Sequence, residues 1–98
     1  MKEVQVEENK ELFKGLIFYL DVANEEGRPL NEYYAQRISS LGGKVSKRVD
    51  KNVTHVVWSH GKMDTLGKII PYDDIKIVST LWVRDCMELM QIQEEESY

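Results

Sequence analysis

Three uninterrupted apolar runs of strand length limit what this 98-residue chain can fold into: Leu16-Ile17-Phe18-Tyr19-Leu20, Val53-Thr54-His55-Val56-Val57-Trp58 and Ile75-Lys76-Ile77-Val78. β-Branched and aromatic residues dominate all three. A strand that is apolar on both faces is an interior member of a parallel sheet covered on both sides, because a half-solvated strand would alternate polar and apolar positions. A shorter strand, Lys44-Val45-Ser46, fits between the first two runs.

Helical periodicity fills the gaps. Leu30, Tyr34, Ile38 and Leu41 fall on one helical face, with Asn31 as the expected N-cap and Gly42 as the left-handed stop. A middle helix is expected over about 62–70, with Met63, Leu66 and Ile70 inward. Gly67 weakens it and Pro71 ends it. The last helix carries an apolar stripe of Trp82, Val83, Cys86, Leu89 and Met90, opposite Arg84, Asp85 and Glu88, and Ser79 or Thr80 caps it. The order β-α-β-β-α-β-α implies a parallel sheet with right-handed crossovers and helices on both faces. The loop Asp21–Pro29 then leaves the carboxyl end of the first strand, where α/β sheets usually hold ligands.

Charge narrows the function classes. The net charge is −4, but it is concentrated at the ends. Residues 1–11 hold four acids and two bases, Glu94, Glu95 and Glu96 follow at the other end, and Leu12–Gln93 has 11 bases against 10 acids. A near-neutral body lacks the strong basic footprint of an indiscriminate nucleic-acid binder. We therefore divide the chain into an acidic extension (1–11), one folded domain (12–93) and an acidic tail (94–98), the ends being solvated. A lone cysteine excludes an internal disulfide and fits a reducing compartment. No apolar stretch approaches membrane-spanning length, and Met1–Glu11 is too acidic for a signal or transit peptide.

Catalytic chemistry finds little material. Cys86 sits on the inner stripe of a helix, where cysteine is an inert small hydrophobe, and a nucleophile would need exposure and a base. His55 lies within a buried strand and His60 in the following loop, neither with a readable partner. One Cys and two His without ligand spacing make no zinc site, and Asp73-Asp74 is a turn pair. No glycine-rich phosphate loop occurs. The chain reads as a non-enzyme without cofactor or metal.

Four local signals, in this order and spacing, resemble the BRCT repeat family of nuclear DNA-damage and chromosome-maintenance proteins. They are Gly42-Gly43 after the first helix, Thr54-His55-Val56-Val57 in the third strand, Ile77-Val78-Ser79 before the last helix, and the Trp82-x-x-x-Cys86 spacing within it. The likeness runs from about Leu12 to Met90. Lys44-Val45-Ser46-Lys47, Val53-Thr54-His55-Val56 and Ser79–Val83 narrow it to one branch of that family. The resemblance implies a four-stranded parallel sheet of order 2-1-3-4, with the first and third helices on one face and the second on the other. It gives Gly42, Gly43, Trp82 and Cys86 structural jobs.

It also implies binding of phosphoserine or phosphothreonine peptides, for which family members present a Ser/Thr-Gly pair after the first strand and a lysine from the second helix. Here the post-strand position reads Leu20-Asp21-Val22, so the pair is missing and an acid stands in its place. Lys68, or else Lys62, is the candidate basic member, and Asn24 and Arg28 are the candidate replacement donors. A separate basic cluster of Lys44, Lys47, Arg48 and Lys51 could meet an acidic partner or DNA, although no aromatic residue interleaves with it as a base-stacking platform would require. The expected function is a monomeric, nuclear protein-interaction module with a degenerate phosphate pocket. The alternatives are a direct DNA binder and a structural repeat packing on a second one.

Overall fold

The computed structural model describes residues 10–95. Seven elements follow in order: β1 (Ile17–Val22), α1 (Asn31–Ser40), β2 (Lys44–Ser46), β3 (His55–Ser59), α2 (Met63–Ile69), β4 (Lys76–Val78) and α3 (Thr80–Leu89). The strands form one parallel sheet of order β2-β1-β3-β4. The residues beyond this range include most of the acidic extension and the end of the acidic tail, which lie outside the described residues.

Strand alternation divides the interior into two cores. Phe18, Leu20 and Val22 of β1, Val57 of β3 and Val78 of β4 pack with Ile38 and Leu41 from α1 and its end, and with Trp82, Val83 and Cys86 of α3. Leu12 and Phe13, in the turn before β1, complete this core. On the opposite face Val56 meets Val53, Ile69 and Ile75, with Ile17, Tyr19, Trp58, Leu66 and Tyr72 at the margin. The two faces explain why apolar residues occupy successive positions of the central strands, as in Ile17–Leu20 and Val56–Trp58.

Several expected boundaries move. β1 continues through Asp21 and Val22, which pair with Trp58 and Ser59 of β3, so the following loop begins two residues later than expected. Asn31 is not an N-cap: Leu30 holds that position without a side-chain cap. Instead Asn31 Oδ1 accepts the Val22 backbone N–H at 2.7 Å and fastens the helix to the end of the strand. β3 starts at His55 rather than Val53, because Val53 closes a turn onto Asp50. β4 starts at Lys76 rather than Ile75, whose side chain is buried in the second core.

The phase of α2 also differs. Met63 and Ile70, expected inward, are 72% and 79% exposed, and Thr65 and Ile69 are buried instead. The bonds that Asp21 makes to Lys62 and Thr65 set that rotation, and Ile69 follows one turn after Thr65 on the same face. In α3, Ser79 caps as expected, its hydroxyl accepting Leu81 N–H. Leu89 is exposed, however, while Met87 and Met90 pack on the core. The buried residues of the helix are Trp82, Val83 and Cys86, and Leu89 at its last position is exposed.

The chain after α3 returns to the domain as a strap. Gln91 N–H donates to Cys86 C=O, Gln93 N–H to Cys86 Sγ at 3.2 Å, and the Trp82 indole N–H to Gln93 C=O at 3.0 Å. His55, stacked on Trp82 with ring centroids 5.0 Å apart, then brings Nε2 to 2.9 Å from Glu95 Oε2. Glu95 is thus anchored, whereas the sequence had placed it in a solvated tail. The anchor accommodates two proton arrangements. Thr54 Oγ1 lies 2.9 Å from His55 Nδ1 and 3.0 Å from Ile17 C=O, which Thr54 N–H already serves. With the hydroxyl proton on Ile17 C=O, Nδ1 carries its own hydrogen; with it turned to Nδ1, the ring is neutral and Nε2 bears the hydrogen. The first arrangement needs an imidazolium to keep Nε2 a donor.

The His55 hydrogen bond holds the Glu95 carboxyl below its ordinary range; partial burial opposes this, and charge from His55 and Lys76 assists it. An unfolded glutamate takes up its proton near pH ~4.3. The folded chain does so only at lower pH, so the stabilisation is complete above that window and is lost as pH falls through it. On acidification the melting temperature of the parent should therefore drop more steeply than that of Glu95→Gln. Parallel curves would exclude an ionised Glu95 in the anchor.

Candidate functional site

The carboxyl end of β1 opens into a cavity of about 540 Å³ between the β1–α1 loop and α2. Asp21, Lys62, Thr65, Lys68 and His60 are among its lining residues. A charged residue within an apolar strand needs donors, and Asp21 has them. Its Oδ2 accepts the Lys62 backbone N–H at 2.7 Å and the Thr65 hydroxyl at 2.7 Å. Gly61 permits this approach, since a Cβ there would lie 2.5 Å from the same carboxylate. The Trp58 indole N–H, bonded to Lys62 C=O at 2.9 Å, braces the loop from the other side.

Lys62 and Lys68 are brought to this cavity, with their side chains exposed. Asn24 and Arg28 lie outside it. Asn24 Oδ1 accepts the backbone N–H groups of Glu26 and Arg28, closing the loop on itself, and Arg28 points to Glu26 at 3.9 Å. Thr65 and Gly61 did not stand out in the sequence. The only signal for them was Asp21 itself, since its partners lie 41 and 44 residues away.

The basic cluster lies at the β2 edge of the sheet. Lys44 is on β2, Lys47, Arg48 and Lys51 follow it, and Arg48 is within 3.7 Å of Asp50. The structural quartet lies in or beside the larger core. Trp82 and Cys86 have no solvent exposure, and burial is the main cause that pushes the Cys86 thiol up to about 11, which suppresses the thiolate a nucleophile requires. Gly42 adopts φ +89°, and Gly43 sits where a Cβ would come within 2.6 Å of Ile38. Among the described residues no group of three or more His, Cys, Asp or Glu is placed to hold a metal, and no helix is long and apolar enough to cross a membrane.

Sheet order, helix placement and the Trp82–Cys86 core together define a protein class, and the comparisons agree with it. The profile of the BRCA1 C Terminus (BRCT) domain matches residues 8–87, and the chain belongs to that family. Microcephalin from Homo sapiens is 32% identical over 76 residues, covering 76% of this chain and 9% of its own length, and the Mus musculus protein is 32% identical over 74 residues. This is the branch to which the sequence motifs pointed. The chain thus spans about a tenth of the length of these relatives. Among solved structures, the C-terminal BRCT domain of human XRCC1 superposes with a TM-score of 0.72 at 15% identity, covering 93% of this chain and 94% of that one. Rad4 BRCT1,2, solved in complex with a Crb2 phosphopeptide, gives 0.72 at 12% identity over 90% of this chain and 46% of that one. At these identities the structural likeness concerns the fold alone.

Proposed function

We propose that this domain is a non-enzymatic protein-interaction module of a nuclear protein in the DNA-damage response or chromosome maintenance, that it works as a monomer, and that its phosphate pocket is degenerate. Membership of the BRCT family and similarity to microcephalin support the general role. The Rad4 complex is a relative by fold in which such domains meet a phosphopeptide.

One observation carries the finer reading: Asp21 takes up the Lys62 N–H and the Thr65 hydroxyl. Both residues line the Asp21 cavity, and these donors are already taken up by an anion belonging to the chain. Two costs fall on a phosphate arriving there. It must displace a carboxylate from two charge-assisted bonds, each contributing roughly 1.5–3 kcal/mol, and it must sit beside a like charge. Lys62 and Lys68 offset part of this, but as exposed lysines they act through screened, water-facing charge.

Phosphorylation of a candidate ligand should therefore raise its affinity by less than about tenfold, or ~1.4 kcal/mol. Lys68→Met should change partner binding only slightly. Calorimetry on matched phosphorylated and unphosphorylated peptides checks both. A hundredfold preference for the phosphorylated peptide, abolished by Lys68→Met, would return this domain to the phosphopeptide-binding class.

A further inference from the structure

At the far edge of the sheet, strand lengths are mismatched. β1 runs from Ile17 to Val22, but β2 pairs only with Ile17, Phe18 and Tyr19. Beyond Tyr19, no strand among the described residues covers the outer edge of β1. At Val22 the backbone has turned to α1, its N–H bonded to Asn31 Oδ1 and its C=O to Leu30 N–H. The gap is a cleft of about 330 Å³ whose apolar wall is Tyr19, Leu20, Ala35 and Val45. Lys47 stands at its β2 side and Glu32 at its α1 side. Lys44 precedes it along the same strand, and Arg48 and Lys51 follow in the loop.

We propose that this cleft and the lysines beside it form one docking site for an acidic peptide segment carrying a single apolar anchor. The inference rests on the interaction-module reading and places the contact at the β2 edge, next to the Asp21 cavity, with which the cleft shares Tyr19, Leu20 and Asn31. Each part of the occupant follows from a part of the site. The volume is at the small end of ligand pockets and takes one aliphatic or aromatic side chain. The exposed lysines select acids on the flanking residues. Glu32 on the other wall sets the polarity, so the acids lie along β2 and its following loop and not across the start of α1. An apolar cleft also favours peptide over DNA. A phosphate backbone would leave the cleft empty, and Asp50 neutralises part of the row at Arg48.

The test uses the full 98-residue chain and a fluorescent probe peptide, Gly-Asp-Glu-Leu-Asp-Glu-Gly. Its controls are the same peptide with serine for leucine, the same peptide with amides for acids, and a short blunt DNA duplex. Titration should give saturable amide shifts at Ala35, Val45 and Lys47. Affinity should fall at least tenfold with either control peptide and with Lys44→Glu/Lys47→Glu, two exposed substitutions that leave the core untouched, and should be unchanged in Lys68→Met. Shifts centred on Lys62–Lys68, or none at millimolar peptide, would overturn the site. So would duplex binding that is tighter than the peptide and strongly salt-dependent, which would assign the lysines to nucleic acid. The two readings fail separately: a nuclear-extract partner captured equally by the parent and by Lys44→Glu/Lys47→Glu removes this site and leaves the module standing.

Discussion

Trp82→Ala should leave little folded protein at 37 °C. The side chain has no solvent exposure, stacks on His55, and lies 6.1 and 6.2 Å from the rings of Phe13 and Phe18. Truncating a buried tryptophan costs ~3–5 kcal/mol, against a total stability of about 5–15 kcal/mol for a domain. The loss reaches beyond the cavity, because the indole N–H also holds the strap at Gln93. Trp82→Phe separates the two contributions. It keeps most of the apolar volume, gives up the hydrogen bond, and should cost much less than the alanine variant. Denaturant melts of the three proteins check this. A cooperative alanine melt within a few degrees of the parent would show that the core closes without the indole.

The second large effect is expected at Gly43. A Cβ built there would lie 2.6 Å from Ile38 Cγ2, 3.0 Å from Phe13 Cβ and 3.2 Å from Phe18 Cε2. Those neighbours are fully buried and cannot step aside, so even one methyl group meets three walls. Overpacking of this kind costs ~1–3 kcal/mol for a small addition, and Gly43→Val should sit at or above the top of that range. Gly67 supplies the opposite sign. It is exposed in the middle of α2, with no atom within 4 Å of a built Cβ, so Gly67→Ala should stabilise by ~0.5–1 kcal/mol through helix propensity. Measured together, the pair distinguishes a steric requirement for glycine from a general dislike of substitution. Equal losses at both positions would refute the packing argument.

What could be read from the chain in advance depended on where each residue's partners lie. β1 and β3 announced themselves because both of their faces are buried, and α3 because Trp82, Val83 and Cys86 share a helical face. The rotation of α2 was not readable. Seven residues offer barely two turns of periodicity, and the deciding contact comes from Asp21, more than forty positions earlier. The same holds for Glu95, whose histidine lies 40 residues upstream. At the candidate site, Asp21 was visible as an acid in place of an expected hydroxyl. That it would be satisfied from within, by a backbone amide and a threonine, required the fold. Asn31 shows the converse error: a good capping residue at the right place, recruited by a strand end instead.

The carboxylate of Asp21 has a consequence for timing. A phosphoryl group is written by one enzyme and erased by another, so a contact that depends on it can be switched within a cell cycle. A carboxylate borne on the chain is present from synthesis to degradation. On the degenerate-pocket reading, a domain that seats its own acid on the Lys62 N–H and the Thr65 hydroxyl withdraws that surface from kinases and phosphatases. On the same reading, its occupancy follows partner abundance and ionic strength.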